Sequence, residues 1–512
     1  MAAYIHHPSG RLVRHTIKKL GHPILFLLFF LVIYGLLGCN VGPKYVRPVV
    51  PAPPAFKESG PQQAADGTTW KSARPQDDVL RGKWWEIYQE PELNELEEKL
   101  NISNQNIVQA FDNFMAARAQ VQQARSNYFP TVSVGLSYSR NRSSQSQLSP
   151  FSISKSNPNT NLFNLPFDVS WEPDLWGRIR NTVRQHAYAA QVSAADLENE
   201  KLIEQANLAV FYFELRGQDA LEELFRKTVE VDRQSLELTR VLYKTGLGND
   251  EAVAQAEITL TSAEAAATNT GIARAQFEHA IALLVGEPAS SFSIPVKPLT
   301  THVPDIPVGV PSELLERRPD VAAAERTMAE ANAVIGVEKA AYYPTLTIGG
   351  TIGFEASKFS KWLTSPSRYW SVGPNASETI FDGGLRKSTL AQDRALYAAD
   401  VAGYKQTILT AIQQTEDSLV SLRLLTQQIE QQQETVASAQ RFLDVATVRY
   451  KTGIDAYLNV FTAQSVLLTN QQTVIALRVQ QITSSVQLIE ALGGGWNVSQ
   501  LPSEHEVAST HR

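Results

Sequence analysis

The chain carries one pattern twice. Leu242-Tyr243-Lys244-Thr245-Gly246 returns as Arg449-Tyr450-Lys451-Thr452-Gly453, an offset of 207 residues. The same offset joins Trp176-Gly177 to Gly383-Gly384, Leu215-Arg216 to Leu422-Arg423 and Val285-Gly286 to Leu492-Gly493. Upstream, Tyr128-Phe129-Pro130-Thr131 answers to Tyr342-Tyr343-Pro344-Thr345 at an offset of 214, which puts seven extra residues in the first copy between Pro130 and Trp176. Solenoids and propellers repeat at roughly 20–50 residues. A unit this long is a duplicated, domain-sized structure.

Each copy opens with alternating stretches. Val132, Val134, Leu136 and Tyr138 alternate with Thr131, Ser133, Gly135 and Ser137. In the second copy Leu346, Ile348, Gly350, Ile352 and Phe354 alternate with Thr345, Thr347, Gly349, Thr351 and Gly353. A further strand follows in each, through Phe163, Leu165, Phe167, Val169 and Trp171, and through Trp370, Val372, Pro374 and Ala376. Period-two alternation gives a strand one apolar and one wet face. Taken alone it fits a soluble sandwich as well as a membrane barrel. Aromatic residues at the strand ends (Tyr128, Trp171, Tyr343, Trp370) favour the barrel, where such rings line the two interfaces.

Between the strands the chain reads as very long helices. Arg178 to Tyr243 and Leu385 to Tyr450 each run 66 residues without proline. At 1.5 Å per residue such a helix reaches roughly 100 Å. A 3-4 spacing runs through Leu221, Leu224, Thr228, Val231, Ser235, Leu238 and Leu242. Its counterpart runs through Leu422, Leu425, Ile429, Gln432, Val436, Ala439, Leu443 and Ala446. These are coiled-coil seams, and Thr228 and Gln432 make them wetter than a closed two-stranded coil. Each helix ends at Tyr-Lys-Thr-Gly, where glycine can take the left-handed cap conformation. A second helix returns over Glu251 to Leu284 and Ala456 to Leu492. Pro130 and Pro344 mark the change from helix to strand. The Pro-rich stretch 287–311 joins the copies, with Ser312 and Pro319 as starts for the helices beyond it.

The N-terminus reads as a leader. Arg11, Arg14, Lys18 and Lys19 precede an apolar run from Ile24 to Leu37, which ends at Leu36-Leu37-Gly38-Cys39. Its 14 residues fall short of the ~20 that a spanning helix needs and suit a signal-peptide core. A small residue before the chain's single cysteine resembles a lipobox, in which Cys39 would be diacylated and become the mature N-terminus. Loss of residues 1–38 removes four basic and no acidic residues and takes the net charge from −6 to −10. An acidic chain without basic clusters argues against nucleic-acid binding. Enzyme signatures are missing: there is no His-Glu-x-x-His, no phosphate loop and no cysteine pair. Gly493-Gly494-Gly495 lacks the helix-opening context of a phosphate site. No cofactor is expected beyond acyl chains on Cys39, and no metal site is visible.

Several segments together resemble the outer membrane factor (TolC-like) family, closest to its lipoprotein branch that serves resistance-nodulation-division efflux pumps. They are Cys39-Asn40-Val41-Gly42-Pro43-Lys44-Tyr45 with Pro48, Trp84-Trp85, the linker from Pro311 to Asp320, Phe381-Asp382-Gly383-Gly384, and the terminal Ala491 to Trp496. The resemblance covers essentially all of the mature chain. It implies an all-α coiled-coil helical barrel joined to a transmembrane β-barrel, with four strands per chain and a 12-stranded barrel completed by a homotrimer. Physics points the same way, because four strands leave two open edges that hydrocarbon does not tolerate. The implied partners are a periplasmic adaptor, an inner-membrane resistance-nodulation-division pump and outer-membrane lipid; the implied location is the outer membrane of a Gram-negative bacterium.

The resemblance also assigns sites. Tyr243, Lys244, Thr245, Gly246 and Leu247, with Tyr450, Lys451, Thr452, Gly453 and Ile454, become adaptor-contacting tips. Leu458 becomes part of a hydrophobic gate, and Arg449 and Tyr450 become polar tethers. Many relatives place an aspartate six residues after each tip glycine; here those positions are Ala252 and Asn459, which leaves Asp250, Glu251 and Asp455 as candidate acceptors. The expected organisation is a signal peptide (1–38), a lipidated segment (39–90), a first repeat (91–286), the linker (287–311), a second repeat (312–496) and a disordered tail (497–512). A coiled-coil lipoprotein that spaces the envelope layers is the competing reading; it accounts for the helices and Cys39 but not for the strands.

Overall fold

A computed structural model describes residues 40–50, 53–58, 82–142, 159–309 and 311–509. The leader, Cys39 and the long first hairpin loop (143–158) lie outside the described residues. The duplication is kept helix by helix. Helices α1 (Pro91–Ser103) and α2 (Gln105–Ser126) lead into strands β1 (Thr131–Val134), β2 (Ser137–Arg142) and β3 (Asn159–Trp171). Then come α3 (Arg178–Lys244) and α4 (Asp250–Leu284). The second half runs α5 (Leu314–Arg317), α6 (Pro319–Ala340), β4 (Thr345–Ala356), β5 (Arg368–Ser377), α7 (Leu385–Lys451) and α8 (Tyr457–Ala491). Helices α3 and α7 each have 67 residues, and α4 and α8 each have 35. A 67-residue helix is about 100 Å long.

Both long helices begin on left-handed glycines, Gly177 (φ 83°) and Gly384 (φ 92°). Their first amides find aspartates just upstream. Asp174 accepts from the backbone N–H of Ile179 (3.1 Å) and Arg180 (3.0 Å), and Asp382 from Gly384 (2.9 Å) and Arg386 (3.3 Å). Negative charge at a helix start satisfies orphan donors and complements the dipole. Both helices end in the same cap. Leu247 donates its N–H to the Leu242 carbonyl and Gly246 to Tyr243; Ile454 and Gly453 repeat this on Arg449 and Tyr450. That pair of bonds is a Schellman motif.

The seam of α7 lies where the spacing puts it, with Leu425, Ile429, Ala439 and Ala446 buried. In α3 it is shifted. Phe225, Asp232, Leu236 and Thr239 are buried, whereas Val231 and Leu238 are exposed in the single chain. At mid-length of the helices the chain thickens around a core of Trp84, Trp85, Leu93, Tyr212, Phe213 and Ile489. The linker is docked on this core. Arg216 donates to the Pro295 carbonyl (2.7 Å), Arg274 to that of Ile294 (2.6 Å), and Lys297 pairs with Glu90 (2.8 Å). Glu97 is fully buried here, and neither carboxyl oxygen has a hydrogen-bond partner among the described residues. Burial pushes its pKa well up.

The expected disordered tail is corrected in part. A helix α9 (Glu504–Val507) is closed by a capping box at Ser503, with Val507 buried. Gln191 donates to the Pro502 carbonyl (2.8 Å) and Gln122 to that of Ala508 (2.6 Å). Three spaced apolar residues (Val498, Leu501, Val507) give the segment enough surface to dock, a signal too sparse to stand out in a polar tail.

The strands form one antiparallel sheet in the order β1/β2, β3, β4, β5. β1 and β2 are one strand in a single register on β3, shown by the pairs Val134↔Phe167 and Ser137↔Asn164. The ladder breaks between them opposite Pro166, which has no N–H to give; only Gly135 bonds there, to the Pro166 carbonyl (3.1 Å). The chain therefore supplies four strand-widths, with β1/β2 and β5 as edges.

Candidate functional site: membrane face and helical tips

Register turns the alternating sequences into continuous rows. One runs Val132, Val169, Gly350, Val372; the next runs Val134, Phe167, Ile352, Trp370. On the opposite face Ser133, Asp168, Thr351 and Ser371 form a polar row, in which Thr351 donates to Asp168 (2.6 Å). The apolar rows are bare: Val134 is 62% exposed, Ile352 60% and Trp370 74%. A polar second face with an uncovered apolar first face is the pattern of a barrel wall with lipid outside and water within. Among the described residues no helix is long and apolar enough to cross a membrane.

Aromatic rings bound this face at both ends. Near the helices, Trp176 stacks on Tyr343 (4.8 Å) and donates to the Pro344 carbonyl (2.8 Å), while Trp171 donates to that of Tyr128 (3.0 Å). At the far end Tyr138, Phe163, Phe359 and Trp362 cluster, with ring centroids 4.7–5.8 Å from Phe163. The N-terminal segment begins beside the near ring. Asn40 accepts from Asn181 (2.9 Å), and Val41 donates to the Trp176 carbonyl (3.3 Å). Gly177 is required there, because a Cβ on it would lie 2.8 Å from Asn40 Oδ1.

The tips lie at the other end of the long helices. Of the three acceptors the sequence leaves open for Arg449, the structure selects Asp455, through Nε to Oδ2 (2.6 Å) and Nη2 to Oδ1 (3.1 Å). The guanidinium holds the half-buried Asp455 carboxyl below its ordinary pKa. Tyr450 meets Tyr457 edge-on at 5.3 Å. Leu458 is half exposed, and Leu247 and Ile454 are more so. Ala252 is buried in the tip core with Leu236, Ala446 and Tyr457. Two tip residues escaped the sequence reading. Asn249 caps α4 by accepting from the Ala252 N–H (3.0 Å). Asp232 is buried one residue from the expected seam, its Oδ2 unpartnered among the described residues, and burial pushes its pKa up to about 6. A charged residue inside a heptad pattern was the one signal available for it.

A bare apolar sheet face over a polar one, continued by pairs of 100 Å helices, defines a membrane channel with a long helical duct. Comparison with known proteins fixes the family. The family described as outer membrane efflux protein matches residues 96–287 and 310–494. The toluene efflux pump outer membrane protein TtgI of Pseudomonas putida is 30% identical over 92% of this chain and 98% of its own. The pyoverdine export outer membrane protein OpmQ of Pseudomonas aeruginosa is 27% identical over 81% of this chain and 87% of its own. The outer-membrane channel OprN superposes with a TM-score of 0.80 at 27% identity, over 90% of this chain and all of that one. The outer membrane protein VceC of Vibrio cholerae does so with 0.74 at 26%, over 81% and 99%. The chain belongs to the outer membrane efflux protein family; it is an efflux channel of the outer membrane and not an enzyme.

Proposed function

We propose that three copies of this chain close a 12-stranded barrel and a continuous helical tube, the passive exit duct of a tripartite efflux system. The open-edged sheet with one apolar and one polar face carries the reading. Its edges must be paired in hydrocarbon. Two chains would give eight strands, whose interior side chains fill, whereas three leave a lumen. Cys39 is the lipidated N-terminus, with diacylglycerol and an N-acyl chain. Support comes from Asn40 and Val41, which are held against Asn181 and Trp176 at the aromatic ring nearer the helices. At the far end the tips Tyr243–Leu247 and Tyr450–Ile454 receive a periplasmic adaptor, and the inner-membrane pump delivers cargo through it. In the resting duct Leu458 forms a dry ring in which ions lose hydration without gaining polar partners. Arg449, paired with Asp455, and Tyr450, packed on Tyr457, stiffen the turn beside it. Relatives named for toluene efflux and for pyoverdine export share the architecture, which supports a duct that takes what its pump selects.

Substitution by arginine tests the reading. At Val134 or Ile352 it is expected to cost ~2–4 kcal/mol of barrel stability, and at Ser133 or Thr351 to change conductance instead. Equal tolerance on both faces, or a chain that neither migrates as a heat-modifiable trimer nor conducts ions in planar bilayers, would overturn it in favour of an envelope-spacing lipoprotein. Cys39→Ala should abolish palmitate labelling and leader processing; label retained by that variant would exclude Cys39 as the anchor.

A further inference from the structure

The outer end of the sheet is charged unlike the rest of the chain. Along β1 and β2 the apolar face runs Val132, Val134, Leu136, Tyr138 and then turns basic at Arg140 and Arg142. On β5 the same face runs Val372, Trp370 and then Arg368, which pairs in register with Phe354. All three arginines are exposed, as are Lys358 and Lys361 in the hairpin between β4 and β5. The acid at this end, Glu355, pairs in register with Asn164 on the opposite, polar face. Residues 138–164 and 355–368 together hold six basic residues and one acidic residue, in a chain whose net charge is −6.

The inner end is different. There the charges come in pairs: Arg178 with Glu172 (2.7 Å), Arg180 with Asp174 (2.9 Å), Arg386 with Asp382 (2.7 Å). At the outer end none of the five described bases has a carboxylate within ion-pair distance among the described residues, and Arg368 bonds only to Ser365. Arg140 and Arg142 stand just beyond the Tyr138–Phe163–Trp362 cluster on the face that carries Val134 and Trp370, whereas Arg368, in the Leu165–Phe354 row, stands one row nearer the helices, where its long stem lets the guanidinium reach up to the same level. Aromatic rings of that kind mark headgroup depth. The bases are thus at the headgroup level of the leaflet farther from the helices.

We propose that this basic collar binds the phosphate groups of a phosphorylated lipid of the outer leaflet, whose acyl chains lie on the apolar rows below. The assignment rests on the lipid-facing reading of that face. A ligand covering both features must be acylated and anionic at once, a demand that neither a free phosphate nor an acidic peptide meets. Arginine suits the role because its planar fork binds phosphate through two parallel N–H bonds.

The test uses the full chain purified in mild detergent, offered bisphosphorylated lipid A, dephosphorylated lipid A or inorganic phosphate alone, with retained lipid measured by mass spectrometry. The wild type should retain the bisphosphorylated lipid and release the dephosphorylated one. The triple variant Arg140→Gln, Arg142→Gln, Arg368→Gln should bind it on the order of 10- to 100-fold more weakly. The corresponding lysine triple should keep most of the binding, and all variants should conduct like the wild type. Should the glutamine triple fail to fold, Arg142→Gln alone, at the strand end, still has to weaken retention measurably. Equal retention of the two lipids, or full retention by a folded glutamine triple, overturns the proposal. Displacement of the lipid by millimolar inorganic phosphate overturns the lipid assignment and leaves a simple anion site. A chain that conducts no ions would refute the channel reading itself, whereas a conducting chain indifferent to phosphate would refute only this collar.

Discussion

The two tips share a backbone and differ in chemistry. Tyr243–Leu247 and Tyr450–Ile454 close with the same Schellman bonds on left-handed glycines, Gly246 (φ 78°) and Gly453 (φ 73°). Around that frame the residues at equal positions diverge. The first tip has Leu242, Gly248, Asp250 and Glu251 where the second has Arg449, Asp455, Tyr457 and Leu458. The first is fastened by the Asn249 cap; the second has no side-chain cap at Ala456 and is fastened by the Arg449–Asp455 pair. Below them the buried Asp232 corresponds to the buried Ala439. Duplication thus supplied two identical turns, and divergence gave the second an ion pair within the turn itself and Leu458 where the first has Glu251.

The largest predicted departure concerns Asp232. Its pKa is raised, so its favourable protonated state is fully present below the unfolded value and is lost as pH rises through about 6. Asp232→Asn should therefore slow hydrogen exchange across 225–242 at pH 8, by on the order of 1–3 kcal/mol, by roughly half as much at pH 5, and do little only below the unfolded value of roughly 3.9. Ala439→Asp should import the same penalty into α7; a pH-independent effect at either site would remove the distinction. Next, Gly246→Ala and Gly453→Ala should each cost about 1 kcal/mol in local exchange stability, because both force a side chain into the left-handed region. Unequal costs would mean that the two turns are not the same device. The smallest effect belongs to the latch. Arg449→Ala should raise single-channel conductance modestly, and Leu242→Ala should not. Asp455 has a lowered pKa, so the latch is present above its unfolded value of roughly 3.9 and is lost only as pH falls through the still lower folded value. Opening of the wild type that tracked titration near pH 6 would point to Asp232 instead.

Much of this could be read from the sequence, for identifiable reasons. The 207-residue offset, the absence of proline and the Tyr-Lys-Thr-Gly caps fixed the long helices to within a residue or two. Period-two alternation fixed which residues share a sheet face. What escaped depends on direction and depth. Val231 and Leu238 looked like the seam of α3 because they are apolar, yet Asp232 and Leu236 occupy the buried stripe. Glu97, inside Glu95-Leu96-Glu97-Glu98-Lys99, reads as a solvated face but is the most deeply buried carboxyl of the core. The partner of Arg449 stayed open among three acids, since spacing does not say which way a tip side chain turns. Pro166 was visible, but its interruption of the β1/β2 strand required the register to place it.

In the proposed resting duct the channel is held shut at the second tip alone. That closure is tested most directly by single-channel recording of purified trimers in planar bilayers, comparing Leu458→Ser with the equivalent change in the first tip, Glu251→Ser. Leu458→Ser should raise conductance several-fold and pass large antibiotics such as vancomycin, and Glu251→Ser should leave a wild-type trace. Unchanged conductance in Leu458→Ser, or equal opening by both substitutions, would contradict closure at the second tip alone.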